Sequence, residues 1–316
     1  MATLQWIDRA GPQRAEVPDT FIQNVTAAFG AEGRDWIDGL PRLLGEIANE
    51  WDLAIGIPYA LSYSFAASAV GGDSAMSVLK LRVPHEEFEQ ELLALQAYDG
   101  DGICRVLRFD HARASMLLER CVPGNTLVSL AREDDAAATA IGAEVMRRLW
   151  RPVPTECRDA LIWLGDWFER AFARHLNEYG GAGPLPGGLF ARVRGSIGDL
   201  LRSAPDDVLL HGDLHHYNIL RATREPWLAI DPKGVHGDPG YDVGPFVWNP
   251  RPRDLHFTRS LLERRLDIFA EMLPYDRTRL REWGLAHAIL SAMWSAEDGA
   301  QNWRQAITIG ELLVDA

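Results

Sequence analysis

The chain has 316 residues, of which 47% are hydrophobic and 24% charged: enough for a packed core and for two lobes. A net charge of -13 makes nucleic acid and anionic membrane poor partners, and no apolar run approaches the roughly 18 residues of a membrane span. Three scattered cysteines, Cys104, Cys121 and Cys157, show no C-x-x-C, and Met1 to Trp6 lack a basic-then-apolar leader, so a reducing cytoplasm is expected.

Along residues 1–50, Pro18 precedes a short predicted helix at Phe21–Val25, Asp35–Pro41 reads as a turn, and Pro41–Trp51 reads as a second helix; these are expected to cap a first lobe. Leu53–Ile57 and Tyr59–Phe65 read as strands, followed by a small-residue run and the turn signal Gly71-Gly72-Asp73. The β-branched and apolar content of Ala75–Val83 predicts another strand, whose period of two puts Val78 and Lys80 on one face. Lysine is scarce here and arginine supplies most of the positive charge. A lysine beside an apolar neighbour on a strand suits a cation reaching nucleotide phosphates. Pro84 starts a helix with an acidic first turn, on which Phe88, Leu92 and Leu95 form the buried stripe. Glu87 and Glu91 lie four apart on a neighbouring face, and either could pair with Lys80.

Arg105–Phe109 and Ser115–Glu119 read as two strands, the second running into Arg120-Cys121-Val122-Pro123-Gly124, a connector suited to a hinge. Helices are expected at Ala136–Leu149, Arg158–Leu176 and Leu189–Leu201, with Trp163 and Trp167 read as core packing. Gly180–Gly188 reads as a flexible connection. Further helices are expected at Val243–Trp248, Ser260–Leu273, Thr278 to about Trp294, and Trp303–Leu313.

The densest chemistry lies between residues 208 and 242. Val208-Leu209-Leu210 and Ile219-Leu220 are apolar strands enclosing His211-Gly212-Asp213-Leu214-His215-His216-Tyr217-Asn218, and a further strand, Trp227–Ile230, delivers Asp231. The unit reads as hairpin-like. Asp213 and Asn218 carry the D-x-x-x-x-N spacing of phosphoryl-transfer catalytic loops. Such transfer needs a carboxylate to orient the attacking hydroxyl and hard oxygen ligands for magnesium, and Asp213, Asn218 and Asp231 supply those parts. The competing reading is a metal-dependent hydrolase built on His211, His215 and His216. In the glycine-rich turn that follows, Asp238 could face a cationic substrate, Asp242 opens the apolar run as a helix cap would, and Trp248 ends it.

These strings, together with Asp231-Pro232-Lys233-Gly234 and Gly237-Asp238-Pro239-Gly240-Tyr241-Asp242, resemble the aminoglycoside phosphotransferase-like small-molecule kinases. The resemblance is to the branch with streptomycin 6-phosphotransferases and hydroxyurea phosphotransferases. It runs from about Lys80 to about residue 300. The chain lacks G-x-G-x-x-G, an Arg before Asp213 and a Phe after Asp231, which separates it from regulated protein kinases. The resemblance implies an α+β, bilobal protein-kinase-like fold. Its small lobe, 1–119, would carry an antiparallel sheet and Lys80, and its large, mainly helical lobe, 120–316, the catalytic loop. It implies ATP and Mg2+, with Asp213 as base, Asn218 and Asp231 as magnesium ligands, and Lys80 on the phosphates. It favours Glu91 over Glu87 as the partner of Lys80. Adenine would meet the carbonyl of Glu119 and the amide of Cys121, and Asp242 would brace the catalytic loop. The acceptor, expected to be a cationic polyhydroxylated molecule such as a streptomycin-like aminoglycoside, would lie near Trp248 and the late-helix residues Trp294, Glu297 and Asp298. An aromatic wall with carboxylates suits such a ligand.

Overall fold

The computed structural model describes residues 2–8, 11–72, 74–251, 253–297 and 303–316, with side chains from Val17 onward. Asp73, part of an expected turn, and Asp298, an expected acceptor contact, lie outside the described residues. The chain forms two compact units, Met1–Leu92 with Cys104–Arg120, and Leu93–Ile103 with Cys121–Ala316.

The first unit opens with an antiparallel hairpin of β1 (Ala2–Asp8) and β2 (Gly11–Val17). A 33-residue helix, α1 (Asp19–Trp51), follows, interrupted only at Gly30, whose φ of 58° and ψ of -129° break the helical run. The turn expected at Asp35–Pro41 is therefore helical, and Pro41 lies inside α1. An interior proline costs about 3 kcal/mol. Leu40, Leu44, Ile47 and Trp51, spaced to share one face, are all buried in the core, and each such burial contributes about 1.5–3 kcal/mol. Burial outweighs the local penalty.

Beyond α1 come β3 (Leu53–Pro58), β4 (Phe65–Gly71), β5 (Met76–Leu81), α2 (Glu86–Tyr98), β6 (Val106–Asp110) and β7 (Ser115–Glu119). The strands form one antiparallel sheet in the order β3-β4-β5-β7-β6. The strand expected at Tyr59–Phe65 starts only at Phe65. Tyr59 and Tyr63 are exposed, whereas Phe65, Ala67 and Ala69 alternate into the core, and a strand is held where one face is buried.

The second unit holds α3 (Val128–Glu133), α4 (Asp135–Leu149), β8 (Arg151–Pro152), β9 (Ile162–Trp163), α5 (Leu164–Tyr179) and α6 (Gly187–Arg202). Then come β10 (Val208–Leu210), β11 (Ile219–Arg221), β12 (Trp227–Ala229), β13 (Val235–Gly237), α7 (Val243–Trp248), α8 (Arg259–Met272), α9 (Arg277–Glu297) and α10 (Trp303–Val314). The helix expected from Arg158 starts only at Leu164, because Ile162 and Trp163 pair in parallel with Val235 and His236. α9 is the buried axis, packed against α5, α6, α7, α8 and α10. Arg265 of α8 is fully buried and pairs with Asp135 of α4 through Nη2 at 2.5 Å. Its Nη1 also donates to the carbonyls of Val247 (3.1 Å) and Asn249 (2.5 Å) at the end of α7, so one cation satisfies the carbonyls that a helix end leaves orphaned. Among the described residues no helix is long and apolar enough to cross a membrane.

Candidate active site

The catalytic stretch does not form one hairpin. β10 pairs with β8 and β13, whereas β11 pairs with β12 in a separate two-stranded sheet. The loop from His211 to Asn218 thus crosses between two small sheets, and Asp231 follows the second of them. Asp242 holds the start of the loop, accepting the N–H groups of His211 (3.1 Å) and Gly212 (2.8 Å) and the indole N–H of Trp150 (3.1 Å). It caps no helix with its side chain; it braces the loop. Burial pushes its carboxyl up to about 6, against the pull of those three donors.

His211 ties the loop to the segment that precedes Asp231. Its Nε2–H donates to the Ile230 carbonyl at 2.8 Å, and its Nδ1 accepts the N–H of Asp213 at 3.3 Å. Burial lowers its pKa to about 4, which keeps the ring neutral, as that pairing requires. Asn218 Nδ2 donates to the Asp213 carbonyl at 3.0 Å, and its Oδ1 is an acceptor. Asp231 sits in the left-handed region at φ 62°, a conformation that costs of order 1–3 kcal/mol and concentrates at functional sites. An amide oxygen and a carboxylate are hard donors, few in number, and match a magnesium ion that completes its shell with water and phosphate oxygens.

The histidines do not gather as a metal cluster. Both nitrogens of His211 are engaged, and His216 is buried against Phe246 with ring centroids 4.0 Å apart. Among the described residues no group of three or more His, Cys, Asp or Glu is placed to hold a metal. The hydrolase reading has no geometric support.

Asp213 itself is the least constrained member. Its side chain is 32% exposed, with His215 Nε2 at 3.6 Å and Lys233 Nζ at 3.8 Å. Both lie beyond hydrogen-bond range, so the carboxylate remains able to accept a hydroxyl proton.

In the first unit Lys80 of β5 is 4% exposed and gives Nζ to Glu91 Oε1 at 2.5 Å. Arg82 binds the other oxygen of Glu91 at 3.2 Å and also pairs with Glu87. Glu91, not Glu87, is thus the partner of Lys80. Glu119 ends β7, where its N–H and carboxylate bond to the Arg105 backbone. Cys121 is buried and opens the next segment of the second unit.

The acceptor-side expectations divide. Asp238 is a correction: it is fully buried and binds Gly240 N–H (2.9 Å), Trp283 Nε1–H (2.8 Å) and Arg279. Its carboxylate is consumed by the fold and faces no substrate. Glu297 is half-buried, paired with Arg174 at 3.2 Å, and its carboxyl is held up by burial. Trp294 is half-buried and stacks on Trp167, with centroids 5.6 Å apart. Trp248 is half-buried, its ring 6.3 Å from that of His287, and its indole N–H has no partner among the described residues. Trp167 and Trp163 are not core: Trp163 is 43% exposed, and Trp167 lies against the catalytic loop, 3.3 Å from where a side chain on Gly212 would begin. Helical periodicity showed that Trp167 shared a face but not that the face met Gly212.

The second unit carries a braced D-x-x-x-x-N loop followed by Asp231, and the first a strand lysine held by a helix glutamate; the relatives show the chain to be a small-molecule phosphotransferase of protein-kinase-like fold, of the kind that modifies a hydroxyl. The chain belongs to the aminoglycoside/hydroxyurea antibiotic resistance kinase family, which matches residues 62–299. It is 35% identical to a streptomycin 6-kinase of Streptomyces glaucescens, over 90% of this chain and 92% of that one. It is 32% identical to a hydroxyurea phosphotransferase of Kitasatospora aureofaciens, over 93% and 84% respectively. Among solved structures it is similar to the aminoglycoside phosphotransferase APH(3'')-Id of Streptomyces rimosus, with TM-score 0.57 and 23% identity over 81% of this chain and 98% of that one. That protein has also been solved with ADP and streptomycin, in a structure that this chain matches with TM-score 0.53, at the same identity and coverage.

Proposed function

We propose that the chain transfers the γ-phosphoryl group of ATP to a hydroxyl of a small, cationic, polyhydroxylated acceptor, a streptomycin-like aminoglycoside. The observation that carries the reading is Asp213: one-third exposed, unclamped, and set on a loop whose backbone is fixed by Asp242, His211 and Asn218. Asp213 orients the acceptor hydroxyl and takes its proton as the oxygen attacks phosphorus. Asn218 and Asp231 hold magnesium, which when bound neutralises phosphate charge. Lys80, kept in place by Glu91, contacts the α- and β-phosphates. The backbone at Glu119 and Cys121 meets adenine.

The acceptor class follows from charge and surface. A chain of net charge -13 attracts cations. Trp167, which lies against the catalytic loop, and Trp294, which packs on it, offer π-faces to a guanidinium or ammonium group. ATP as donor also fits the expected cytoplasmic setting.

The test is an ADP-release screen of the purified chain against streptomycin, other aminoglycosides, hydroxyurea and small metabolites, with mass detection of product. A gain of one phosphoryl group on streptomycin supports the reading. Phosphorylation of an uncharged metabolite in preference to every aminoglycoside would replace the acceptor, and no turnover with any compound would remove the reading.

A further inference from the structure

Of the 32 basic side chains, two are lysines, Lys80 and Lys233; the others are arginines. Arginine serves even in the fully buried pair with Asp135. The two exceptions are Lys80, which the reaction proposed above uses, and Lys233, which it does not.

Lys233 follows Asp231 by two residues and brings its ammonium to 3.8 Å from Asp213 Oδ2. Its backbone is fixed to the catalytic loop, the N–H donating to the His211 carbonyl at 2.8 Å. Its side chain remains 38% exposed. The loop is built around it: Gly212 has φ +80°, and a Cβ there would meet Lys233 Cβ at 3.0 Å. The glycine preceding Asp213 therefore supplies a conformation that other residues resist and also leaves space for Lys233.

Residue type matters here. An arginine would clamp the Asp213 carboxylate through two parallel N–H bonds and occupy both oxygens. An ammonium is a compact point charge on a flexible stem. At 3.8 Å it is attracted to Asp213 without a hydrogen bond, so it leaves the oxygens to the acceptor and can reach an incoming phosphate.

We propose that Lys233 is a catalytic residue, a second cation whose ammonium binds the phosphoryl group in transit and neutralises the charge on its oxygens. This rests on the reading of Asp213 as base. In the step, the acceptor oxygen bonds to the γ-phosphorus and its proton passes to Asp213. The bond from that phosphorus to the bridging oxygen breaks, and its electron pair leaves on ADP. Lys233 keeps its three protons throughout.

The test compares the full-length chain with Lys233→Met, Lys233→Arg and Asp213→Asn. Calorimetry with magnesium measures binding of ADP alone and of ADP with aluminium fluoride, a mimic of the transferring group that needs no acceptor. Lys233→Met should bind ADP like the wild type but bind the fluoride complex about 10²-fold more weakly, as for loss of one preorganised transition-state donor. Equal affinity for the fluoride complex, or no gain from fluoride in the wild type, overturns the proposal. With an acceptor, Lys233→Met should lose about 10²-fold in kcat with little change in KM for ATP. Lys233→Arg should stay impaired, because it clamps the base. Wild-type kcat in Lys233→Met overturns the role of Lys233 while the Asp213 reading stands, and wild-type kcat in Lys233→Arg overturns the need for an ammonium. Full turnover by Asp213→Asn instead removes the reading on which the proposal rests.

Discussion

The carboxylates Glu91 and Asp213 hold opposite positions in the same chemistry. Glu91 is 1% exposed and bound by two cations, Lys80 at 2.5 Å and Arg82 at 3.2 Å. Asp213 is one-third exposed and has its nearest cation at 3.8 Å. Glu91 shapes a ground state: it fixes an amine, so every bond it makes is already formed. In the proposed reaction Asp213 forms its decisive bond only during the transfer, which its open carboxylate permits. Stability and catalysis should therefore separate between the two residues.

The largest effect is expected at Asp213. Asp213→Asn should cost about 10²–10⁴-fold in kcat, the usual contribution of a general base. Its urea midpoint and its affinity for nucleotide should stay near wild type, because no fold contact is lost; an equal fall in stability would break the contrast. Glu91→Ala should behave in the opposite way. It leaves Lys80 and Arg82 buried without their shared countercharge, and removing one partner of a buried pair costs about 3–5 kcal/mol, measurable by urea unfolding.

Asp242 tests the brace rather than the base. Its carboxyl titrates near 6 in the fold, against about 3.9 when unfolded. The folded state thus binds the proton more tightly. The stability that this contributes is present below about pH 4 and is lost as pH rises through about 6, a change of about 2–3 kcal/mol. His211 and His287, both lowered to about 4 by burial, act in the other direction, so their contribution is present above about 6.5 and lost as pH falls through about 4. Asp242→Asn should remove the first component only. Unfolding midpoints of the two proteins from pH 4 to 8 should therefore converge at low pH; parallel curves would refute the assignment. The smallest effect is expected at the acceptor wall. Trp167→Leu should raise KM for a cationic acceptor by about 2- to 30-fold, equivalent to about 0.5–2 kcal/mol of cation–π attraction, and should leave KM for ATP unchanged.

Much of this was legible in the sequence because the chemistry is local. Asp213, Asn218 and Asp231 lie within one short stretch, and their spacing singles them out as candidates before any fold is known. Glu91 needed the family pattern, since Glu87 shares its face. Asp238 was misread because spacing places a carboxylate on a turn but does not say which way it faces. The groups that consume it, Arg279 and Trp283, lie 41 and 45 residues away. The turn expected at Asp35–Pro41 failed for a similar reason: the local rule was sound, and the buried face of α1 outweighed it. Lys233 left a signal in composition, because a residue type used twice in a chain is informative wherever it falls.

That scarcity has a chemical consequence. Lys80 is 4% exposed, so in the folded protein the accessible side-chain amine is that of Lys233. Amine-directed reagents, which decorate most proteins at many points, become site-selective here. Attachment of a dye or a surface through amines would fall beside Asp213 or on the chain's α-amine. The fraction coupled through Lys233 would then be blocked if Asp213 is the base, and a lysine-reactive electrophile carried by an acceptor analogue would find one accessible side-chain amine.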